Sequence, residues 1–183
     1  MHNVLLVYKQ LQMQFDEEGH LLPFEEGQVV HVVSYDEKPG IQAIANTADD
    51  LPPTENNGTI KRDYEYKRLG TVSLLAGIDL QTGEAIPLVS DSHNSADYIE
   101  FLKILDARYP KGDTIRLVLD NLKVHRAKKV IEYLSTVEGR FEFVFTPKHA
   151  SWLNLVESFF SKMTKQMLIS RSEERRVGKE CRS

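Results

Sequence analysis

The sequence predicts an α/β fold, a mixed five-stranded sheet with helices on both faces, and three observations predict it. Apolar runs of strand length come first as a hairpin set, later runs alternate with helical patterns, and two of the runs end on an aspartate. Hairpin strands followed by alternating strands and helices imply a sheet that is part antiparallel and part parallel. In such sheets ligands sit at the carboxyl ends of the parallel strands.

Taken in order, Val4, Leu5, Tyr8 and Leu11 recur at helical spacing, which predicts a short helix ending before the Asp16-Glu17-Glu18-Gly19 turn. The first strand is expected over 29–35, with Pro39-Gly40 as its stop, and the stretch from Thr47 to Gly58 has the composition of a long loop. Runs 71–78 and 85–89, joined by the turn Gln81-Thr82-Gly83-Glu84, make a hairpin beside that strand. Asn94 or Ser95 caps a helix whose apolar face is Tyr98, Phe101, Leu102 and Leu105, ending near Tyr109-Pro110. Strand 115–119, a helix from Arg126 to Leu134, strand 141–145 and a helix from Ser151 to Met167 follow. In that last helix Trp152, Leu153, Val156, Phe159, Phe160, Met163 and Met167 are expected to form the buried stripe, leaving Asn154, Glu157, Ser161 and Thr164 on the polar face.

A length of 183 residues with 41% apolar and 27% charged side chains fits one globular domain with a sizeable core. No apolar run reaches membrane-spanning length and no secretory signal precedes the first helix, so the expected location is cytoplasmic, with no membrane partner. Cys181 is the single cysteine, which excludes an internal disulfide framework, and the histidines fall at no zinc-like spacing. Any metal is therefore expected on oxygen. The net charge of −4 is uneven along the chain: −8 over residues 1–58, −3 over 59–102 and +5 over 103–170. Polyanion contacts would therefore lie in the second half, where Lys123, Arg126, Lys128 and Lys129 cluster after Asp120. On charge alone a solvated helix face is the simpler reading of that cluster.

The runs ending in Asp36 and Asp120 carry the chemistry. An aspartate at the end of a strand costs free energy unless it is hydrogen-bonded, paired or metal-bound. Joined by Glu157 from the last helix, the two make an oxygen-only donor set suited to hard cations such as Mg²⁺ or Mn²⁺. A pair of such ions clamps the attacking and the leaving oxygen of a phosphodiester. Taken singly, each acid has a plainer reading: Asp120 as a helix cap and Glu157 as a surface residue. Only the joint pattern points to a metal site.

Three blocks then carry a resemblance to a known family. Ser34-Tyr35-Asp36-Glu37-Lys38-Pro39-Gly40-Ile41-Gln42-Ala43, Leu119-Asp120-Asn121-Leu122-Lys123-Val124-His125 and Thr146-Pro147-Lys148-His149-Ala150-Ser151-Trp152-Leu153-Asn154-Leu155-Val156-Glu157 resemble the signature blocks of DDE transposases from bacterial insertion sequences related to the mariner group. The resemblance runs from about residue 4 to residue 168. It implies a ribonuclease H-like fold, with Asp36, Asp120 and Glu157 as catalytic residues and metal ligands for two Mg²⁺ or Mn²⁺ ions. It implies DNA strand cleavage followed by strand transfer in transposition, on double-stranded DNA of the transposon ends and the target. It also implies a homodimer in the active complex and a bacterial, nucleoid-associated location when bound to DNA. Asn121, His125, Lys148 and Asn154 are expected to support the trio or position DNA, with His149 beside them, and Lys123, Arg126, Lys128 and Lys129 to contact its backbone. Glu37 points to the other side of its strand. The 36 residues between Asp120 and Glu157 slightly exceed the usual gap of the group.

The arginine cluster and nucleophilic hydroxyl of a serine or tyrosine recombinase are missing. Two other readings stay open: a cellular nuclease of the same fold, and an inactive or domesticated fragment that only binds DNA or partner subunits. In domain terms, residues 1–27 are a helix and linker, 28–170 the catalytic domain, and 171–183 a highly charged tail. That tail reads like a translated sequencing adapter and looks foreign to the domain. The family's helix-turn-helix domains have no room ahead of Asp36, so a truncated chain is expected.

Overall fold

The computed structural model describes residues 2–22, 29–46, 52, 65–147 and 151–168. Strands β1 (Val30–Asn46), β2 (Tyr66–Asp79), β3 (Ala85–Ser90), β4 (Thr114–Leu119) and β5 (Phe141–Phe145) form one sheet in the order β3-β2-β1-β4-β5. Pairing is antiparallel among β1, β2 and β3, and parallel from β1 through β4 to β5. The helices are α1 (His2–Gln12), α2 (Ser95–Arg108), α3 (Lys128–Thr136) and α4 (Val156–Met163).

Side chains alternate across a strand, so β1 and β4 each feed two cores. On one face Val33, Tyr35, Ile115, Leu117 and Leu119 pack against Phe101, Leu102 and Leu105 of α2 and Val130 of α3. On the other, Val32 and Val118 meet Val4 and Val7 of α1 together with Leu153, while Val156 and Phe160 of α4 cover Leu74 and Ala76 of β2. Each of these fully buried side chains contributes about 1.5–3 kcal/mol through its removal from water. Gly77 lets α2 sit close: a Cβ there would lie 2.7 Å from Val33 Cγ1 and 3.0 Å from Phe101 Cζ.

Asn94 caps α2 as its sequence position predicts. Its side chain accepts from the Ala96 amide at 2.7 Å, and Asp97 returns a carboxylate to the Asn94 amide at 2.8 Å. At the other end Arg140, 6% exposed, donates to Asp106 Oδ1 at 2.9 Å and to the carbonyls of Tyr109 at 2.8 Å and Pro110 at 2.6 Å. Those bonds fasten the end of α2 to the start of β5.

Four expectations are corrected. The first strand does not stop at Pro39-Gly40 but runs on to Asn46 as a two-stranded ribbon with β2. A register shift between Lys38 and Ile41, with Gly40 at φ 72°, absorbs the proline that has no N–H to give. The helix expected from Arg126 is instead a 3₁₀ turn, Lys123–Arg126, followed by α3. The helix expected over Ser151 to Met167 is three pieces: a 3₁₀ turn at Ser151–Leu153, α4, and a π turn at Thr164–Leu168. Trp152 is not in the core but 66% exposed, because the break at Asn154 shifts the phase of the helical stripe. Leu153, Val156 and Phe160 are buried as expected. The loop from Thr47, apart from residue 52, and the tail 171–183 lie outside the described residues.

Candidate active site at the end of the parallel pairing

The parallel register of β1 on β4 ends at Ser34↔Val118. Two residues further on come Asp36, still on β1, and Asp120, the first residue after β4. Alternation then fixes the face: Val32, Ser34 and Asp36 share one side of β1, and Arg116, Val118 and Asp120 the same side of β4. This is the side that carries α1 and α4.

Glu157 reaches the same place because α4 is latched to β1. Asn154, 1% exposed, accepts a hydrogen bond from the Ser34 hydroxyl through Oδ1 and donates to the Tyr35 carbonyl through Nδ2 at 2.8 Å. The Val156 amide, at the first turn of α4, donates to Ser34 Oγ at 3.1 Å. On the far side of this junction the Tyr8 hydroxyl of α1 donates to the Leu153 carbonyl. Glu157 is the next residue after the latch, in the first turn of α4.

The electrostatics record the convergence. Asp36 is pushed up to about 6, first by burial and then by the charges of Asp120, Glu157 and Glu37, against the Glu37 amide that it accepts at 2.8 Å. Burial also raises Asp120, which keeps a bond from the Leu122 amide at 3.2 Å. Asp36 is the middle member, since it feels both of the others. Among the described residues, three metal-ligand atoms lie within 4.8 Å of one another only in the exposed turn of Asp16, Glu18 and His20. The donor set of Asp36, Asp120 and Glu157 is carboxylate oxygen throughout, carries mutual repulsion, and so fits hard divalent cations.

Glu37 lies on the other face of β1, as the sequence predicts, and its side chain is 5% exposed. It accepts from the Tyr35 hydroxyl at 2.7 Å and sits 3.2 Å from His125 Nε2. His125 Nδ1 lies 3.1 Å from the Asp120 carbonyl. Both partners of the imidazole are oxygens, one on each of the two strands that the ring joins. With 2% of its side chain exposed, His125 ties Glu37 to the backbone of Asp120 and has no surface to offer DNA. Asn154 is buried likewise and holds α4 to β1.

Asn121 bridges two strand ends: Nδ2 donates to the Thr146 carbonyl at 2.9 Å, and Oδ1 accepts from the Arg126 guanidinium at 3.0 Å. That guanidinium also lies 4.7 Å over the Phe145 ring. Lys123, Arg126, Lys128 and Lys129 are exposed along the 3₁₀ turn and the start of α3, Lys128 Nζ being 3.8 Å from Glu132. Lys148 and His149 lie outside the described residues. Sequence reasoning missed Ser34, whose signal was a hydroxyl inside an otherwise apolar run.

With this geometry in view, comparisons with known proteins are informative. A curated Shigella sonnei protein, described as an insertion element IS630 uncharacterized 39 kDa protein, is 29% identical over 82 residues, covering 45% of this chain and 24% of that protein. The chain thus spans about a quarter of that relative. The structure is similar to a chain of the simian T-cell lymphotropic virus intasome complexed with a PP2A regulatory subunit, with TM-score 0.50 and 11% identity over 89% of this chain and 50% of that one. It also matches the Mos1 mariner paired end complex with Mn, with TM-score 0.42 and 19% identity over 70% and 40% of the two chains. The fold is ribonuclease H-like, with the mixed five-stranded sheet that the sequence predicts. No helix among the described residues is long and apolar enough to cross a membrane. The family model for DDE superfamily endonucleases matches residues 31–176, a span that contains all three acids and well over half of the chain, and the chain belongs to that family.

Proposed function

We propose that this chain is the catalytic domain of an insertion-sequence transposase related to the mariner group, cleaving DNA strands and transferring them to a target. The observation that carries it is the latch of Ser34 and Asn154, which brings Glu157 to the strand ends where Asp36 and Asp120 lie side by side. Asp36, Asp120 and Glu157 would hold two Mg²⁺ or Mn²⁺ ions, hard cations that suit an all-carboxylate donor set. When bound, such ions activate the attacking hydroxyl and stabilise the departing 3′-oxygen of the phosphodiester.

The chain's own residues position and charge the site. His125 and Glu37 fix Asp120 relative to β1, Asn121 fixes the loop after Asp120 to the end of β5, and the latch fixes Glu157. Lys123, Arg126, Lys128 and Lys129 neutralise phosphates of double-stranded DNA, joined by Lys148. The match to an insertion-element protein favours this reading over a cellular nuclease of the same fold. The active complex is a homodimer holding two transposon ends.

The test is nicking of supercoiled plasmid by the full chain in Mn²⁺ or Mg²⁺. Nicking that needs the metal and is lost in Asp120→Asn and Glu157→Gln is expected. Nicking that survives either substitution removes the trio from the chemistry. DNA binding without nicking would make the chain a non-catalytic binding fragment.

A further inference from the structure

Beside Glu157 an open groove of about 410 Å³ is lined by Trp152, Ser158, Ser161, Lys162 and Lys165. We propose that this groove is a subsite for one unpaired nucleotide next to the scissile phosphate, its base stacked on Trp152 and its phosphate held by Lys162 and Lys165. The proposal rests on the catalytic reading above.

Three observations carry it. Trp152 is 66% exposed, yet the backbone on which it stands is fixed: Leu153 is 5% exposed and Asn154 1%, and both are bonded to other elements. An indole held on a rigid frame with its ring in water is a preset platform, and stacking surfaces of this kind bind every base through its π face. The groove is cationic on one wall, since Lys162 and Lys165 are one turn apart and exposed, which suits a phosphate. Glu157 belongs both to the acidic trio and to the lining, so an occupant lies next to the cleavage centre. A base inside a duplex has its faces covered by its neighbours, so the occupant is an unpaired nucleotide rather than a base pair.

The chain has one tryptophan, so its fluorescence reports on this groove alone. The full chain is titrated in EDTA with a thymidine hexanucleotide and with an abasic hexanucleotide carrying the same phosphates. Quenching by the first and not the second is expected. Read by anisotropy of end-labelled strands, because the variant lacks the fluorophore, Trp152→Ala should weaken binding of the thymidine strand by roughly 5- to 150-fold and leave the abasic strand unchanged. Trp152→Phe should restore most of that loss, and Lys162→Gln with Lys165→Gln should lower the salt dependence for both strands. Equal quenching by the abasic strand, or none by either, overturns the subsite. So does a tryptophan shielded from iodide in a dimer of the free protein, which would make the groove a protein interface. Because the titration contains no metal, base-dependent quenching in a chain that fails to nick plasmid leaves the subsite standing and sinks the catalytic reading. Metal-dependent nicking without such quenching does the reverse.

Discussion

Replacing Asp36 by Asn should stabilise the apo protein at neutral pH, although it removes a proposed metal ligand. Asp36 titrates near 6 in the folded chain against an ordinary 3.8, because it is buried and faces Asp120, Glu157 and Glu37. Below about pH 3 the carboxyl is protonated both folded and unfolded, so it costs nothing. As pH rises through 4 to 6 the unfolded chain loses the proton first, and the folded state carries the penalty in full above 6. A shift of this size corresponds to at most roughly 3 kcal/mol, and partial exposure with solvent screening reduces it to about 1–2 kcal/mol. Asn keeps the oxygen that accepts the Glu37 amide and drops the charge. For a chain of this length the gain is roughly 2–8 °C in melting temperature. Melting curves of both proteins in EDTA at pH 4 and pH 7.5 measure it: the difference should be small at the lower pH and several times larger, in favour of the variant, at the higher. Mg²⁺ should then stabilise the unsubstituted protein by mass action and the variant far less. A variant less stable at pH 7.5, or equally shifted at both pH values, would refute the claim that burial and the neighbouring carboxylates penalise the Asp36 charge in the folded chain.

Two more outcomes follow from the latch and the basic cluster. Asn154→Ala strands the Ser34 hydroxyl and the Tyr35 carbonyl in a closed environment, so denaturant unfolding should show a loss of about 2–4 kcal/mol, with nicking reduced further than stability alone explains. A loss under about 0.5 kcal/mol would mean that α4 is held by its apolar face instead. Lys128→Ala with Lys129→Ala should weaken duplex binding alike for all sequences and flatten its salt slope by about two phosphate contacts, as read by fluorescence anisotropy across a salt series; an unchanged slope places the DNA on another face.

Much of this site was legible in the sequence because the relevant rules are local. An apolar run ending on Asp120, a capping Asn94 followed by Asp97, and a Thr82-Gly83 turn between two strand patterns each need only neighbouring residues to be recognised. Ser34 is different. A hydroxyl inside Val32-Val33-Ser34-Tyr35 announces that it needs a partner, but that partner is Asn154, 120 residues away. Register is equally invisible: nothing in either run states that Ser34 pairs with Val118, which is what brings the two aspartates level. Pro39 misled because a proline ends a strand where both edges are paired, whereas here β4 has already stopped and a bulge takes the residue. Trp152 misled because a helical wheel assumes one continuous helix, and the segment changes from 3₁₀ to α across Asn154.

The same residue explains why the site forms where it does. At Val33 and Ser34, β1 is held on both edges, by β2 and by β4; beyond them only the antiparallel edge with β2 continues. A strand freed on one edge is a place where backbone and side-chain groups seek new partners. Here the Tyr35 carbonyl takes the amide of Asn154, the Asp120 carbonyl takes the ring of His125, and that ring returns to Glu37 on β1. Side chains thus replace strand pairing across the gap that opens past Leu119. Because each replacement is made by a residue within five positions of an acid of the trio, the bonds that close the gap also fix the three carboxylates. The repulsion among those carboxylates is the cost of that arrangement, and it is the same quantity that a divalent cation would relieve.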